Sequence, residues 1–296
     1  GWSYSVANSA VEFLAKGETI ELEYTVTVTD DSGVSAAPNP ANGSKINQAT
    51  ETVTITINGT NDTPTIDASS TGSDQGVVTE DNSVDSNGDL TDSGTLTMGD
   101  TDTTDVLTVQ STSTGYVVNS ATWLESDVTT VAGTLTTAQI NALTSGFTAT
   151  KSNATTVGWN YSVANNDTQF LDAGEVVTLT FNVTIGDDSG ESSGTTATDQ
   201  VTITITGADD ASVITHDDGT GATDVTSSVV TDSVDEGDVG DAAVTATGTL
   251  AISDVDANDT PTFTVVSSAS GTYGTFALNS SGVWTYTLDQ STVQGL

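Results

Sequence analysis

The stretch "TIELEYTVTVTD", Thr19 to Asp30, decides the fold. Ile20, Leu22, Tyr24, Val26 and Val28 take every second position, with polar residues between them. A period of two puts the two sets of side chains on opposite faces of a β-strand, so this is a strand with one face meant for a core. The stretch "VVTLTFNVTIGD", Val176 to Asp187, repeats the pattern through Val177, Leu179, Phe181, Val183 and Ile185.

The repetition extends outward from these two strands. "GWSYSV" from Gly1 returns as "GWNYSV" from Gly158, and Trp2, Phe13, Glu18 and Asp30 match Trp159, Phe170, Glu175 and Asp187 at one constant offset. A third copy starts at Gly282 as "GVWTYTL". The other half of the unit also recurs: "GTLTMGDTDTTD" from Gly94 and "GTLAISDVDANDT" from Gly248 align Asp100, Asp102 and Asp105 with Asp254, Asp256 and Asp259 without a gap. Self-similarity of this length means an array in which each unit is a whole domain. The chain opens late in one repeat and closes at nearly the same phase, so a window on a longer array is expected. The expected units are 1–62, the C-terminal part of a first repeat; 63–210, a complete second repeat with an insertion at 121–151; and 211–296, the N-terminal part of a third.

Many short alternating strands between Gly, Asn, Asp and Ser turns give an all-β class, with a β-sandwich in each unit. "LTTAQINAL", Leu135 to Leu143, is the one helical signal and predicts one or two turns inside the insertion. In the third copy a hairpin turned at Asn279 to Gly282 replaces it. Trp2, Trp159, Trp284, Tyr4, Tyr161 and Tyr286 are expected to lie in cores.

Charge excludes several functions. Of 296 residues 41 are acidic and 3 basic, a formal charge of −38, and the cations are Lys16, Lys45 and Lys151. Such a chain cannot neutralise phosphates, so neither nucleic acid nor an anionic membrane surface is a partner. There is no Cys, hence no disulfide or thiol chemistry. No stretch is apolar for long enough to span a membrane, and the first ten residues lack the features of an export signal, which is expected to lie elsewhere. A Thr-rich, Cys-free, strongly acidic β-chain fits a secreted, extracellular bacterial protein. His216 stands alone, no nucleophile has a base beside it, and no enzymatic activity is expected.

The acids fall in places that matter. Glu18 precedes a strand and Asp30 follows it, so the two mark opposite ends of a domain. If the strand Glu51 to Asn58 returns antiparallel, the linker Asn61-Asp62 falls beside Glu18. If the next unit's first strand leaves the linker and "GTLTM" returns to it, the Asp100-Thr101-Asp102 turn faces that linker, and "VLTV" then runs back. One junction should therefore gather Glu18, Asn61, Asp62, Asp100, Asp102, Asp105 and Asp187. The next should gather Glu175, Asp209, Asp210, Asp254, Asp256 and Asp259. Two carboxylates about 4 Å apart repel by about 1 kcal/mol in water and about 4 at an effective dielectric of 20. Half a dozen need a cation, and hard oxygen ligands in this number suit Ca²⁺ better than Mg²⁺. Asp85, Asn87 and Asp89 form a lesser acidic loop.

"LAKGETIELEYTVTVTD" followed by "GTNDTP" resembles the VCBS-type and cadherin-like repeats of large bacterial adhesins, many of them of the type I-secreted RTX class. The resemblance implies tandem Ig/cadherin-like β-sandwich domains in an elongated array, and calcium sites at which Glu18 and Glu175 match the Glu before a Tyr-containing strand and Asp30 and Asp187 the terminal Asp. Asn61-Asp62 and Asp209-Asp210 match the linker, and Asp100/Asp102 and Asp254/Asp256 the Asp-x-Asp turn. Three departures stand out: the linker is one residue shorter before Pro64, the second linker has Ala211-Ser212 and no Pro, and the Lys151 region is inserted. Glu80 and Glu236 match the family's early-strand Glu only with a different spacing, which ranks them low. The function implied is structural, an extender segment of a calcium-stiffened adhesin or filament at the cell surface, its partners being neighbouring repeats, further copies or surface glycans. The alternative is a glycan- or protein-binding module that uses the 121–151 insertion, with Trp123 as its unrepeated aromatic.

Overall fold

The computed structural model describes residues 1–31, 48–110, 118–217, 223–224, 233–235, 237, 240 and 242–294. Lys45, the Asn42 sequon and Glu236 lie outside the described residues, as do the side chains of His216 and Asp217. The protein is all-β. Its strands are β1 (Thr19–Thr29), β2 (Gln48–Asn58), β3 (Thr65–Ala68), β4 (Gln75–Thr79), β5 (Asp89–Gly99), β6 (Thr108–Gln110), β7 (Val118–Leu124), β8 (Thr148–Asn153) and β9 (Thr156–Ala164). There follow β10 (Val176–Gly186), β11 (Thr196–Thr206), β12 (Val213–Asp217), β13 (Thr223–Asp224), β14 (Thr245–Ser253), β15 (Val266–Ser270), β16 (Gly274–Leu278) and β17 (Val283–Leu288). Two short helices are α1 (Thr137–Thr144) and α2 (Gln290–Val293). No helix among the described residues is long and apolar enough to cross a membrane.

The middle of the chain is a two-layer sandwich. One sheet has the order β3-β5-β9-β8; the other has β4-β11-β10, with β6 and β7 both pairing with β10. The apolar side of the alternation faces inward: Val177, Leu179, Phe181, Val183 and Ile185 of β10 are fully buried, as are Val201, Ile203 and Ile205 of β11. Leu96, Val157, Trp159 and Tyr161 meet them from the opposite sheet. Burying one such side chain stabilises by roughly 1.5–3 kcal/mol, which makes this alternation the main determinant of the fold. Phe147 stacks on Phe181, centroids 4.1 Å apart, and on Trp159 at 6.3 Å. Gly94 lies under the Trp159 ring, where a Cβ would come within 2.5 Å of it.

The first strand of this sandwich changes sheets. β3 pairs antiparallel with β5, Thr65 opposite Gly99, and β4 then pairs parallel with β11, from Thr202 opposite Gln75 to Thr206 opposite Thr79. Because β4 runs parallel to β11, both strands finish at the same end of the domain.

The outer regions are single sheets. β1 and β2 form an antiparallel pair with Thr19 opposite Asn58, the predicted return. β12 to β17 form one sheet of order β13-β12-β14-β17-β16-β15. Its β16–β17 hairpin turns at Asn279–Gly282 as expected, with Gly282 at φ +80°. The helix expected at Leu135–Leu143 is α1, closed at its start by a capping box between Thr136 and Gln139.

Two expectations are corrected. Trp2 and Tyr4 are not core residues: Trp2 is 67% exposed, and residues 1–7 form no strand. Their counterparts Trp159 and Tyr161 are buried because β9 lies between β5 and β8, and no described residue plays those parts for residues 1–7. Likewise "VLTV" does not run back beside β5; β6 crosses to the other sheet and pairs with β10, Thr184 opposite Gln110.

Candidate metal junctions

Each junction starts from a turn that a glutamate shapes. In "AKGE" the Glu18 Oε2 accepts the Ala15 amide at 3.0 Å, and the Gly59 amide donates to the Glu18 carbonyl at 2.9 Å. In "DAGE" the same bonds recur: Asp172 N to Glu175 Oε2 at 3.1 Å and Gly207 N to Glu175 O at 2.9 Å. Gly17 and Gly174 make the turns possible, at φ +86° and +78°. So Glu18 and Glu175 bring the end of the following linker strand to the edge of their own strand.

At the first junction the linker meets the Asp-x-Asp turn of the middle sandwich. The Asp62 amide donates to Asp102 Oδ2 at 2.7 Å, and the Asp102 amide donates to Asp100 Oδ1 at 3.1 Å. The Thr103 amide donates to the Phe13 carbonyl at 3.3 Å, tying the turn to the preceding region. Asn61 Nδ2 donates to Asp187 Oδ2 at 3.4 Å and to the Gly194 carbonyl at 3.0 Å. Carboxylate oxygens of Asp100, Asp105 and Asp187 all lie within 4.8 Å of one another. Lys16 and Glu191 form an ion pair at 2.8 Å, both about two-fifths exposed.

The second junction repeats the central bond. The Asp210 amide donates to Asp256 Oδ2 at 2.9 Å, the Asp256 amide to Asp254 Oδ1 at 3.2 Å, and the Ala257 amide to the Phe170 carbonyl at 3.0 Å. Asp254 Oδ2 also accepts the Ser212 hydroxyl at 2.7 Å. Here the close group is Asp172, Asp209, Asp256 and Asp259, again within 4.8 Å. Glu175 carries two more donors, Trp123 Nε1 at 2.9 Å and Asn258 Nδ2 at 2.5 Å. Trp123 is therefore a packed residue, 7% exposed and edge-on to Phe170 at 5.0 Å.

The electrostatics of both places call for positive charge. Asp102 is 1% exposed and Asp256 2%. Each has one oxygen on a linker amide and the other, Oδ1, buried without a partner among the described residues. Asn61 Oδ1, Asp100 Oδ2, Asp105 Oδ2 and Asp210 Oδ2 are buried and unpartnered too. An unmatched buried oxygen costs on the order of 1–3 kcal/mol, more when charged. Asp105 is pushed up to about 6, by desolvation first and then by Asp102 and Asp100. Asp100, Asp210 and Asp256 are also raised, burial leading in each and neighbouring acids adding to it. Asp259 is raised by desolvation and by the Asp172 charge. A hard divalent cation fits the unmatched buried oxygens, those of Asn61, Asp100, Asp102 and Asp105 at the first junction and of Asp210 and Asp256 at the second, where Asp209 and Asp259 add exposed carboxylates.

Sequence reading and geometry overlap in part. The structure brings Asn61, Asp62, Asp100, Asp102, Asp105 and Asp187 together, and likewise Asp209, Asp210, Asp254, Asp256 and Asp259. Glu18 and Glu175 stand at the turns beside these groups, while Asp30 is exposed beyond the other end of β1. Sequence reading missed Asp172 and Asn258, while Glu80, which it ranked low as a ligand, lies outside both close groups. Asp172 has Ala15 as its repeat counterpart, so comparison of the copies hid it. Glu80 is 1% exposed, accepts the Ala208 amide at 3.0 Å and Gln169 Nε2 at 2.8 Å, and is raised to about 7, chiefly by burial and also by Asp210. In the acidic loop, Asp85 Oδ1 accepts the Asn87 and Asp89 amides at 2.7 and 3.0 Å. Those bonds, the Asp89 amide first, hold its carboxyl below the ordinary range, and they give that loop a backbone role.

No protein-family model matches this chain, and no curated protein does. Among solved structures, the cadherin-like domains 1 to 4 of zebrafish RET are 13% identical over 69% of this chain, with a TM-score of 0.25. The chain spans about half the length of that structure, covering 50% of it. A likeness this remote carries no argument here.

Proposed function

We propose that the chain is a structural, extender segment of an extracellular bacterial adhesin or filament, and that Ca²⁺ at its junctions stiffens it. One observation carries this reading: Asp102 and Asp256 are each buried, bonded through one oxygen to a linker amide, and left with a second oxygen that no described residue matches. Asn61, Asp100, Asp105 and Asp187 would complete the first site with Asp102. Asp172, Asp209 and Asp259 would complete the second with Asp256. A bound cation would neutralise the carboxylates and fix the linker against the following turn. Inside a cell, where Ca²⁺ is scarce, the same acids would repel one another and keep the chain loose; outside, the cation would order it. The formal charge of −38, the absence of Cys and the Thr-rich strands agree with a secreted, cell-surface setting. Trp123 does not favour the insertion as a binding platform, because its ring is buried and its Nε1 is held by Glu175.

The test is a thermal melt with EDTA, millimolar Ca²⁺ or millimolar Mg²⁺. A ligand at a hundred times its Kd stabilises the native state by about 2.7 kcal/mol. In a domain of this size that is a rise of roughly 5–10 °C per site, specific to Ca²⁺. Melting curves that coincide in EDTA and Ca²⁺ would sink the reading.

A further inference from the structure

Glu175 collects donors from three separate parts of the protein, and it is only 2% exposed. Its Oε2 accepts the Asp172 amide of its own turn at 3.1 Å and the indole Nε1 of Trp123, from the insertion, at 2.9 Å. Its Oε1 accepts Asn258 Nδ2, from the turn of the following domain, at 2.5 Å. A carboxylate buried this deeply depends on its donors, and hydrogen bonds to an ionised group are roughly twice as strong as neutral ones. Packing holds the Trp123 donor in place. Its ring lies edge-on to Phe170 at 5.0 Å and against Gly133, where a Cβ would come within 2.5 Å of it.

A second strut runs beside the first. The Ala257 amide donates to the carbonyl of the same Phe170 at 3.0 Å. Adjacent residues of one turn, Ala257 and Asn258, are therefore held at two points of the middle sandwich, and two points fix an orientation where one fixes only a position. We infer that Trp123, Glu175 and Asn258 form a latch that holds the third repeat against the middle sandwich in one orientation without any cation. Trp123 is its positioning residue: it aims Glu175 at Asn258, and this gives the insertion a role inside the chain.

The first junction supplies a comparison. There the Thr103 amide donates to the Phe13 carbonyl, which repeats the strut. The repeat counterpart of Asn258, however, is Thr104, an exposed residue that no bond joins to Glu18 among the described residues. The charged contact across that junction is the ion pair of Lys16 with Glu191, and a pair so exposed holds little. The latch thus belongs to the second turn, "DVDAND", and not to "DTDTTD". This goes beyond the calcium reading and does not depend on it.

The experiment exploits the absence of Cys. Thr91→Cys with Thr249→Cys places nitroxide labels on the two sides of the second junction, and Glu23→Cys with Thr150→Cys does so at the first; all four positions are exposed. Double electron–electron resonance on the full chain in EDTA reads the spread of each distance. The expected result is one narrow peak across the second junction and a broad distribution across the first. Asn258→Asp sets two carboxylates against each other, and the narrow peak should be lost. Adding Glu175→Gln to it exchanges donor and acceptor at unchanged net charge: the carboxamide oxygen still accepts from Trp123 and Asp172, and its NH₂ donates to the new carboxylate. That double variant should recover the peak, which a merely space-filling role would not achieve. Equal spread at the two junctions in EDTA, a narrow peak that survives Asn258→Asp, or a double variant that does not recover it each overturns the inference. A first junction that stays broad after Ca²⁺ is added removes the calcium reading and leaves the latch as it stands.

Discussion

The two junctions share one bond and differ in the company it keeps. In both, a linker amide donates to the buried middle acid of the following turn, Asp62 to Asp102 and Asp210 to Asp256. At the first junction the crowding acids, Asp100, Asp105 and Asp187, all belong to the domain that follows the linker. At the second, Asp172 comes from the domain before it and Asp209 from the linker itself, facing Asp256 and Asp259. Glu80 and Trp123 are present only on this second side, where Trp123 holds the turn glutamate. The difference teaches that the amide-to-aspartate bond sets the register of linker and turn, while the charge around it is assembled from whichever strand ends are near.

The largest effect should come from breaking the shared bond on one side at a time. Asp102→Ala or Asp256→Ala removes a buried acceptor and a proposed ligand. Each should abolish Ca²⁺ uptake at its own junction in isothermal titration, leave the other intact, and erase a Ca²⁺-dependent rise of roughly 5–10 °C. Loss of both sites by one substitution would mean the junctions are coupled.

Acidity should separate the junctions next. Asp105 and Glu80 have folded-state values of about 6 and about 7, above their ordinary values. A raised value means stability that is fully present below the ordinary carboxylate range, about 4, and is lost as pH rises through 6 to 7. In EDTA the melting temperature should therefore climb as the solution is acidified from neutrality, and in Ca²⁺ the slope should reverse, because the cation needs ionised ligands. Glu80→Gln should flatten only the part of the EDTA profile near 7, since Glu80 serves the second junction alone.

Ala15 allows the comparison to be sharpened by addition. It occupies the place of Asp172 in the same turn, its amide bonded to Glu18 as that of Asp172 is bonded to Glu175. Ala15→Asp should tighten Ca²⁺ binding at the first junction several-fold by titration, with no change at the second. The smallest effect is expected from Trp123→Phe, which keeps the packing and removes the Nε1 donor to Glu175. A net hydrogen bond is worth about 1 kcal/mol, so the melting temperature should fall by roughly 2–4 °C.

Much of this was legible in the chain itself. The alternation from Ile20 to Val28, the return of β2, the Asn279–Gly282 hairpin and the approach of Asp102 to its linker all follow from strand period, turn residues and repeat alignment. What escaped was whatever depends on a partner strand remote in sequence. Trp2 sits in nearly the same hexapeptide as Trp159 but, among the described residues, has no flanking strand on either side. β6 looked like the return of β5 because it comes next, yet its hydrogen bonds go to β10. Glu80 seemed misplaced because its spacing to the following turn was wrong. The parallel pairing of β4 with β11 carries it to the opposite end of the domain, beside Ala208.

That parallel pair has a mechanical consequence. A tether pulled at both ends enters the middle sandwich at Asn61–Pro64 and leaves it at Gly207–Asp210. β4 and β11 share the five register pairs from Gln75–Thr202 to Thr79–Thr206, and the pull draws β4 toward the entry and β11 toward the exit. The hydrogen bonds between them then lie across the load and must fail together, as in a lap joint, instead of opening one at a time like a zip. The β1–β2 hairpin has no such joint among its described strands, and stretched singly it should be the first part of the chain to lengthen.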